Sequence, residues 1–325
     1  MNGDILIAGI VLGSLYAIVA LGYTMVYGII ELINFAHGDV FTFGAFLAIP
    51  TISGTTVFGW HWPGLITQTG TPAVAQSIIG IGVAMVVSAI ICACLGVVIE
   101  RVAYRPLRNA PRLAPLITAI GVSLIIENLL YQWQGGYSIP FPTTITFSSY
   151  SLTFSLFGHQ FLSNTSITNA QLLVIVAAVA MMIGLDLFVN RTTMGKAMRA
   201  VAQDREAASM MGINVDRIIS LTFFVGSFLA GAGSILYGIE QVNIGYDTGF
   251  ALGLFAFTAA VLGGIGNIRG AAVGGLLIGI ISEYVDYLGN GLGTDWYDTV
   301  VFSILVLILV FRPAGLFGTA TAEKV

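Results

Sequence analysis

Long apolar runs, each near the length of a bilayer crossing, alternate along this chain with short polar and glycine-rich interruptions. A hydrocarbon core about 30 Å thick needs on the order of 20 residues of helix at about 1.5 Å each. Nine stretches approach that size, over residues 5–28, 34–52, 73–99, 113–133, 170–190, 218–240, 249–266, 271–288 and 295–311. Several are rich in glycine, which lets helices pack backbone to backbone and makes interrupted spans expected. The pattern predicts an all-α integral membrane protein, a polytopic bundle of about 8–10 transmembrane helices, some of them broken or re-entrant. The segments at 53–72 and 134–169 break the rhythm: they carry no Lys or Arg and are full of Thr, Ser, Gly and Pro. Within the second, the run Thr143 to Phe157 alternates Thr/Ser with Ile, Phe, Tyr and Leu, which predicts a small β-hairpin capping the bundle.

Composition supports lipid as the solvent. Of 325 residues, 57% are hydrophobic and 9% charged, with a mean hydropathy of +0.93, too little polar surface for a globule in water. The net charge of -4 comes with no Lys/Arg-rich arm, which excludes a nucleic-acid partner. Cys92 and Cys94 stand two apart in an apolar run, where a helix sends them in different directions, so both read as small buried hydrophobes. The start MNGDILIAG has neither a basic n-region nor a small-residue cleavage site, so residues 5–28 are expected to stay as the first span.

All 12 basic residues lie at or after position 101. Arg101, Arg105, Arg108 and Arg112 form one cluster; Arg191, Lys196, Arg199, Arg205 and Arg217 form another; Arg269, Arg312 and Lys324 stand singly. Placing every one in the cytoplasm satisfies the positive-inside rule and puts the N-terminus outside and the C-terminus inside. Residues 53–72 and 134–169 then become external loops and 191–217 a cytoplasmic one, within a single transmembrane domain over 1–325. With no catalytic domain attached, energy must arrive through a surface contact or an ion gradient.

The cytoplasmic stretch RAVAQDREAASMMGINVDR, residues 199–217, predicts a short helix. Asp204 and Glu206 favour its start, Ala207 and Ala208 propagate it, and Gly212 ends it in a left-handed conformation. With Arg205, Met210 and Met211 it suits a partner's groove, and equally a connector resting on lipid headgroups. In the segment Asn34-Phe35-Ala36-His37-Gly38-Asp39, an amide, an imidazole and a carboxylate enter an apolar span. Such groups either cap a broken helix or line a solute path. Gly263 to Gly270 forms a second interruption, where Asn267 stands beside glycine as Asn34 stands near Gly38. That is the pattern of two related halves, each with a discontinuous helix. Among acids in the spans, Glu127 is nearest mid-depth, Asp186 is near a cytoplasmic end, and Glu283 and Asp286 approach the external side. His37, His61 and His159 are too far apart to suggest a metal site, and no HExxH or GxSxG appears.

Glu206-Ala207-Ala208 followed by Gly212 resembles the EAA-type loop of ABC importer permeases. Four further stretches resemble the branched-chain amino-acid (LIV-type) permeases: residues 22–46, AYRPLRNAPRLAPLITAIGVSLIIEN from 103, AVLGGIGNIRGAAVGGLLIGI from 260, and FRPAGLFG from 311. The resemblance implies a permease subunit in a bacterial inner membrane, translocating neutral, branched-chain amino acids. It implies that Arg205, Glu206, Ala207, Ala208, Met210, Met211 and Gly212 dock an ATPase, with Asn34, His37, Gly38, Asp39, Glu127 and Asn267 at the path or its helix breaks. Its implied partners are a second related permease, two ATP-binding subunits that hold ATP and Mg, and a periplasmic or lipid-anchored solute-binding protein. No cofactor is implied in this chain, and no enzymatic reaction. Urea and short-amide permeases share the Asn-x-Ala-His-Gly type of segment and remain an alternative solute class. An ATPase-independent channel or an ion-coupled carrier is the alternative mechanism.

Overall fold

The computed structural model describes residues 3–54, 56–57, 60–61, 64, 74–108, 110–111, 113–142, 148–156, 159–288 and 296–318. Each of the nine apolar stretches is a helix: α1 (Gly3–Ile30), α2 (Ala36–Ser53), α3 (Val74–Ile99), α4 (Leu113–Gln134), α5 (Asn169–Arg191), α8 (Val215–Gln241), α9 (Thr248–Gly263), α10 (Ile268–Leu288) and α11 (Trp296–Phe311). Two short helices, α6 (Thr193–Gln203) and α7 (Arg205–Met210), occupy the polar interval between α5 and α8. α3 runs on through a π-turn over Glu100–Tyr104 and a 3₁₀ turn over Arg105–Leu107. Among the described residues, six helices are long and apolar enough to cross a bilayer: α1, α4, α5, α8, α10 and Ile78–Leu107. The others are shorter, α9 and α11 with 16 described residues each and α2 with 18.

Of the run Thr143 to Phe157 expected to form a hairpin, Ser149–Leu156 is a strand, but it pairs antiparallel with His159–Thr168, which lies beyond that run, so the hairpin sits further along the chain than the alternation predicts. Residues 143–147 and 157 of the expected run lie outside the described residues, as do most of 53–72, Arg112 and Lys324.

Two compact units divide the chain. The first holds residues 1–24, 147–186 and 255–325. Inside it, Gly9, Gly13 and Ala17 recur at four-residue spacing along α1 and meet Gly275 and Gly279 of α10 backbone to backbone. A Cβ on Gly13 would stand 2.7 Å from the Leu276 Cα. Small residues one turn apart are what permit such an approach, and in lipid close packing supplies much of the attraction between helices. Tyr16 stacks on Phe255, which in turn stacks on Phe302, and Asp4 accepts a hydrogen bond from the Ser166 backbone at 2.9 Å, holding the hairpin to the start of α1.

The second unit holds residues 25–146 and 187–254. Here α2, α3 and α8 meet through Gly44, Ser88, Cys92 and Gly231. The Ser88 hydroxyl donates to the Gly44 carbonyl at 2.8 Å, and the Cys92 thiol to the Val40 carbonyl at 3.4 Å. Cys92 is buried as expected, but Cys94 is exposed. Two residues turn a helix by about 200°, so the burial that fits one cysteine against α2 sends the other outward. The outward face of α3 carries Ile79, Val83, Val86 and Ile90, apolar side chains suited to lipid and not to water.

Candidate functional site

The first helix break joins α1 to α2. Tyr27 accepts the last α-helical bond of α1 from the Glu31 amide at 2.8 Å, and Glu31 then turns the chain with φ +59°. A non-glycine residue in that region marks a held conformation, here placed where apolar helix gives way to polar chain. The chain resumes helix at Ala36, with the His37 amide donating to the Asn34 carbonyl at 3.0 Å. Neither Asn34 nor His37 caps α2 by its side chain: the cap position is Phe35, and no side-chain bond closes it. The Asn34 Oδ1 instead accepts from the Tyr104 hydroxyl at 2.9 Å, because the π-turn ending α3 brings that ring to the break.

Asn34, His37 and Asp39 are all buried, at 3%, 1% and 0% exposure. Asp39 Oδ2 accepts a hydrogen bond from Ser123 of α4, while its Oδ1 has no partner among the described residues. One turn beyond Ser123 stands half-buried Glu127, close enough to interact electrostatically with Asp39 and with Asp247. Gly38 permits the tight geometry: a Cβ there would run into the Gly249 carbonyl, so the start of α2 and the start of α9 touch through backbone. Of the path residues expected from sequence, Asp39 is therefore brought to Glu127 and to Ser123, while Asn34 meets Tyr104. Neither Ser123 nor Tyr104 had a local sequence signal, since each acts through a partner more than 60 residues away.

The second break, between α9 and α10, is built differently. Gly264 and Gly266 take φ +102° and +92°, conformations that a side chain resists. Asn267 is a helix cap, its Oδ1 accepting from the Gly270 amide at 3.1 Å, and its Nδ2 donates to the Phe317 carbonyl at 2.9 Å. The segment after α11 closes on the same place, the Leu316 amide donating to the Leu262 carbonyl at 2.8 Å. Asp186 and Arg269 form a two-bond ion pair at 3.1 and 3.2 Å. Asn267 thus clamps a turn, where Asn34 is a buried acceptor. The shared Asn-near-Gly spelling hides two different chemistries.

The third feature is the α6–α7 element. Thr192 caps α6 by accepting from the Gly195 amide at 3.0 Å, and α6 buries Met198 and Val201. Asp204 caps α7, its Oδ1 accepting from the Glu206 and Ala207 amides at 3.0 Å each. At the other end Gly212 takes φ +83°, Ile213 N–H reaches the Ala208 carbonyl and Gly212 N–H the Ser209 carbonyl, both at 3.0 Å. This pair of bonds is the Schellman closure that a glycine makes possible. Ala208 is buried, whereas Met210 and Met211 stand 81% and 83% exposed. Glu206 and Ala207 are also exposed, and the Arg205 guanidinium donates to the Ile29 carbonyl at 2.9 Å. Beyond it, Asp216 at the start of α8 holds both Arg105 and Arg108, and Arg108 also pairs with fully buried Glu100.

Among the described residues no three His, Cys, Asp or Glu side chains converge as a metal site would require. Discontinuous apolar helices with polar groups buried at one break, and a folded, capped element in the polar interval between spans, define a membrane permease. The chain belongs to the family of permease components of branched-chain amino acid transport systems, whose family model matches residues 5–310. It is a multi-pass membrane protein and the permease component of an ABC importer. It is 39% identical to the high-affinity branched-chain amino acid transport system permease protein BraD of Pseudomonas aeruginosa, over 98% of this chain and 97% of the relative. It is 38% identical to LivH of Escherichia coli K12, of the same description, over 98% of this chain and 96% of the relative. A probable branched-chain amino acid transport permease protein LivH of Methanocaldococcus jannaschii is 28% identical over 97% of this chain and 92% of the relative. No solved structure matches the chain.

Proposed function

We propose that this chain carries neutral, branched-chain amino acids across a bacterial inner membrane, with its N-terminus outside and its C-terminus in the cytoplasm. In this reading it performs no covalent chemistry. A second related permease subunit completes the path, a periplasmic or lipid-anchored binding protein delivers the solute, and two ATP-binding subunits, which hold ATP and Mg, supply the work. Alternating access then follows from nucleotide-driven movement of one part of the bundle against another. The relatives' descriptions support the solute class; the clustering of Lys and Arg in the α6–α7 interval and around Arg105 supports the orientation.

The observation that carries the reading is the construction of α7. A six-residue helix has no stability of its own, yet this one is capped at both ends, by Asp204 and Gly212, and presents Met210 and Met211 bare. Adaptable thioethers on a pre-formed helix suit docking into a partner's groove. Glu206, Ala207, Met210 and Met211 would be the docking surface, with Ala208 buried beneath it. The buried group at Asn34, His37, Gly38 and Asp39, with Glu127, is our candidate for the path, and Asn267 for its second break.

The test is made in the reconstituted complex. Glu206→Ala combined with Gly212→Ala is expected to abolish the stimulation of ATP hydrolysis by loaded binding protein. Unchanged stimulation would remove the docking role, and labelling of a cysteine placed at Met210 from the external side alone would reverse the orientation.

A further inference from the structure

The α7 helix and the α1–α2 break are tied to each other by bonds that docking alone does not require. Arg205, the first residue of α7, places its Nη2 2.9 Å from the Ile29 carbonyl oxygen. Ile29 is in the last turn of α1, where carbonyls lack helical partners and where the helix dipole favours a cation. Two residues later comes the φ +59° of Glu31, and the break begins. A guanidinium holding a carbonyl on the very edge of a strained turn fixes the position of that turn.

A second tie approaches the break from its other side. Tyr104, 1% exposed, donates to Asn34 at 2.9 Å. The same turn region carries Arg105 and Arg108, which hold Asp216, and Glu100, which accepts from the Ser220 hydroxyl at 2.6 Å. Asp216 lies two residues after Asn214, the cap of α8, which accepts from the Arg217 amide at 3.0 Å and directly follows the α7 closure. The start of α7 is therefore tied directly to the end of α1 through Arg205, and the chain just after α7 is tied through Asp216 to the Arg105–Arg108 turn, whose neighbour Tyr104 holds Asn34. Between α7 and the end of α1 a cavity of about 360 Å³, lined by Ile29, Glu31, Leu32, Asp204 and Arg205 among others, leaves room for the linked parts to shift.

We propose that Arg205 is a positioning residue that transmits movement of α7 to the α1–α2 break, and through it to the buried Asn34–His37–Asp39 group. Charge-assisted hydrogen bonds are short, directional and strong, so the guanidinium drags the end of α1 with the helix it belongs to. The inference rests on α7 being the docking element; it adds that Arg205 faces inward and works on this chain, not on the ATPase.

The experiment uses the complete complex in vesicles, with Arg205→Gln and Arg205→Lys. A second readout is the maleimide labelling rate of a cysteine at Leu32, in a Cys94→Ala background, with and without ATP. Arg205→Gln is expected to keep the ATPase subunits bound and hydrolysing, to lose solute uptake by roughly tenfold, and to abolish the nucleotide-dependent change at Leu32. Tenfold corresponds to about 1.4 kcal/mol. Arg205→Lys, which keeps the positive charge on its donor where glutamine offers only a neutral amide N–H, is expected to recover part of both. Uptake and Leu32 labelling that still respond normally in Arg205→Gln would overturn the inference, and so would release of the ATPase by that variant, which would make Arg205 a contact residue. Failure of the docking reading is separable: it appears as undiminished stimulation in the Glu206→Ala, Gly212→Ala pair.

Discussion

Gly212→Ala isolates the backbone term in α7. At φ +83° the residue occupies the left-handed region, and a Cβ added there meets no atom within 4 Å. Packing is thus untouched, and what changes is conformational energy. For an L-residue the left-handed conformation costs about 1–2 kcal/mol, which is a factor of about 5–30 in a local equilibrium. The bonds at stake are those from Ile213 N–H to Ala208 and from Gly212 N–H to Ser209. Hydrogen exchange of the peptide spanning 205–213, measured with the chain in nanodiscs, should show amide protection falling by about that factor. Gly212→Asn should fall less, since asparagine tolerates the same conformation. Stimulation of ATP hydrolysis should decline in the order Gly, Asn, Ala. Unaltered protection in Gly212→Ala, or equal losses for Asn and Ala, would refute the claim that the left-handed closure holds this helix.

Two further predictions contrast neighbouring changes. Gly13→Ala inserts a methyl 2.7 Å from the Leu276 Cα and 2.9 Å from its carbonyl oxygen, so the α1–α10 contact must part. A loss of about 1–3 kcal/mol and a lower melting temperature in detergent are expected, whereas Gly121→Ala, with nothing within 4 Å of the new Cβ, should leave the melting temperature level or raise it. Arg108→Ala strips the guanidinium from Glu100, whose side chain is 0% exposed, and should cost about 3–5 kcal/mol. Arg105→Ala, from a half-exposed pair with Asp216, should cost less than about 1 kcal/mol in the same melting experiment.

Much of this architecture was legible without coordinates. Every apolar stretch became a helix, since in lipid the backbone can satisfy its own polar groups only by coiling and length alone marks the spans. The capped α7 was legible too, because Asp204 and Gly212 act within one turn of themselves. So was the presence of breaks at 31–35 and 264–267, where polar residues and glycines interrupt apolar runs.

What lay beyond sequence reasoning was every fact that depends on which face of a helix meets which neighbour. Cys94 turned outward and Cys92 inward because only one side of α3 meets α2 and α8. Asn34 became a partner of Tyr104 instead of a helix cap, Asp39 found Ser123 84 positions away, and Asn267 clamped the Phe317 carbonyl. Arg205 reached Ile29 across 176 positions. Composition and spacing determine where a chain must be helical in a membrane, because those forces act on each residue and its near neighbours. The pairing of buried polar atoms is decided by tertiary packing, because a donor at one end of the chain is satisfied only where another helix happens to carry its acceptor to the same depth.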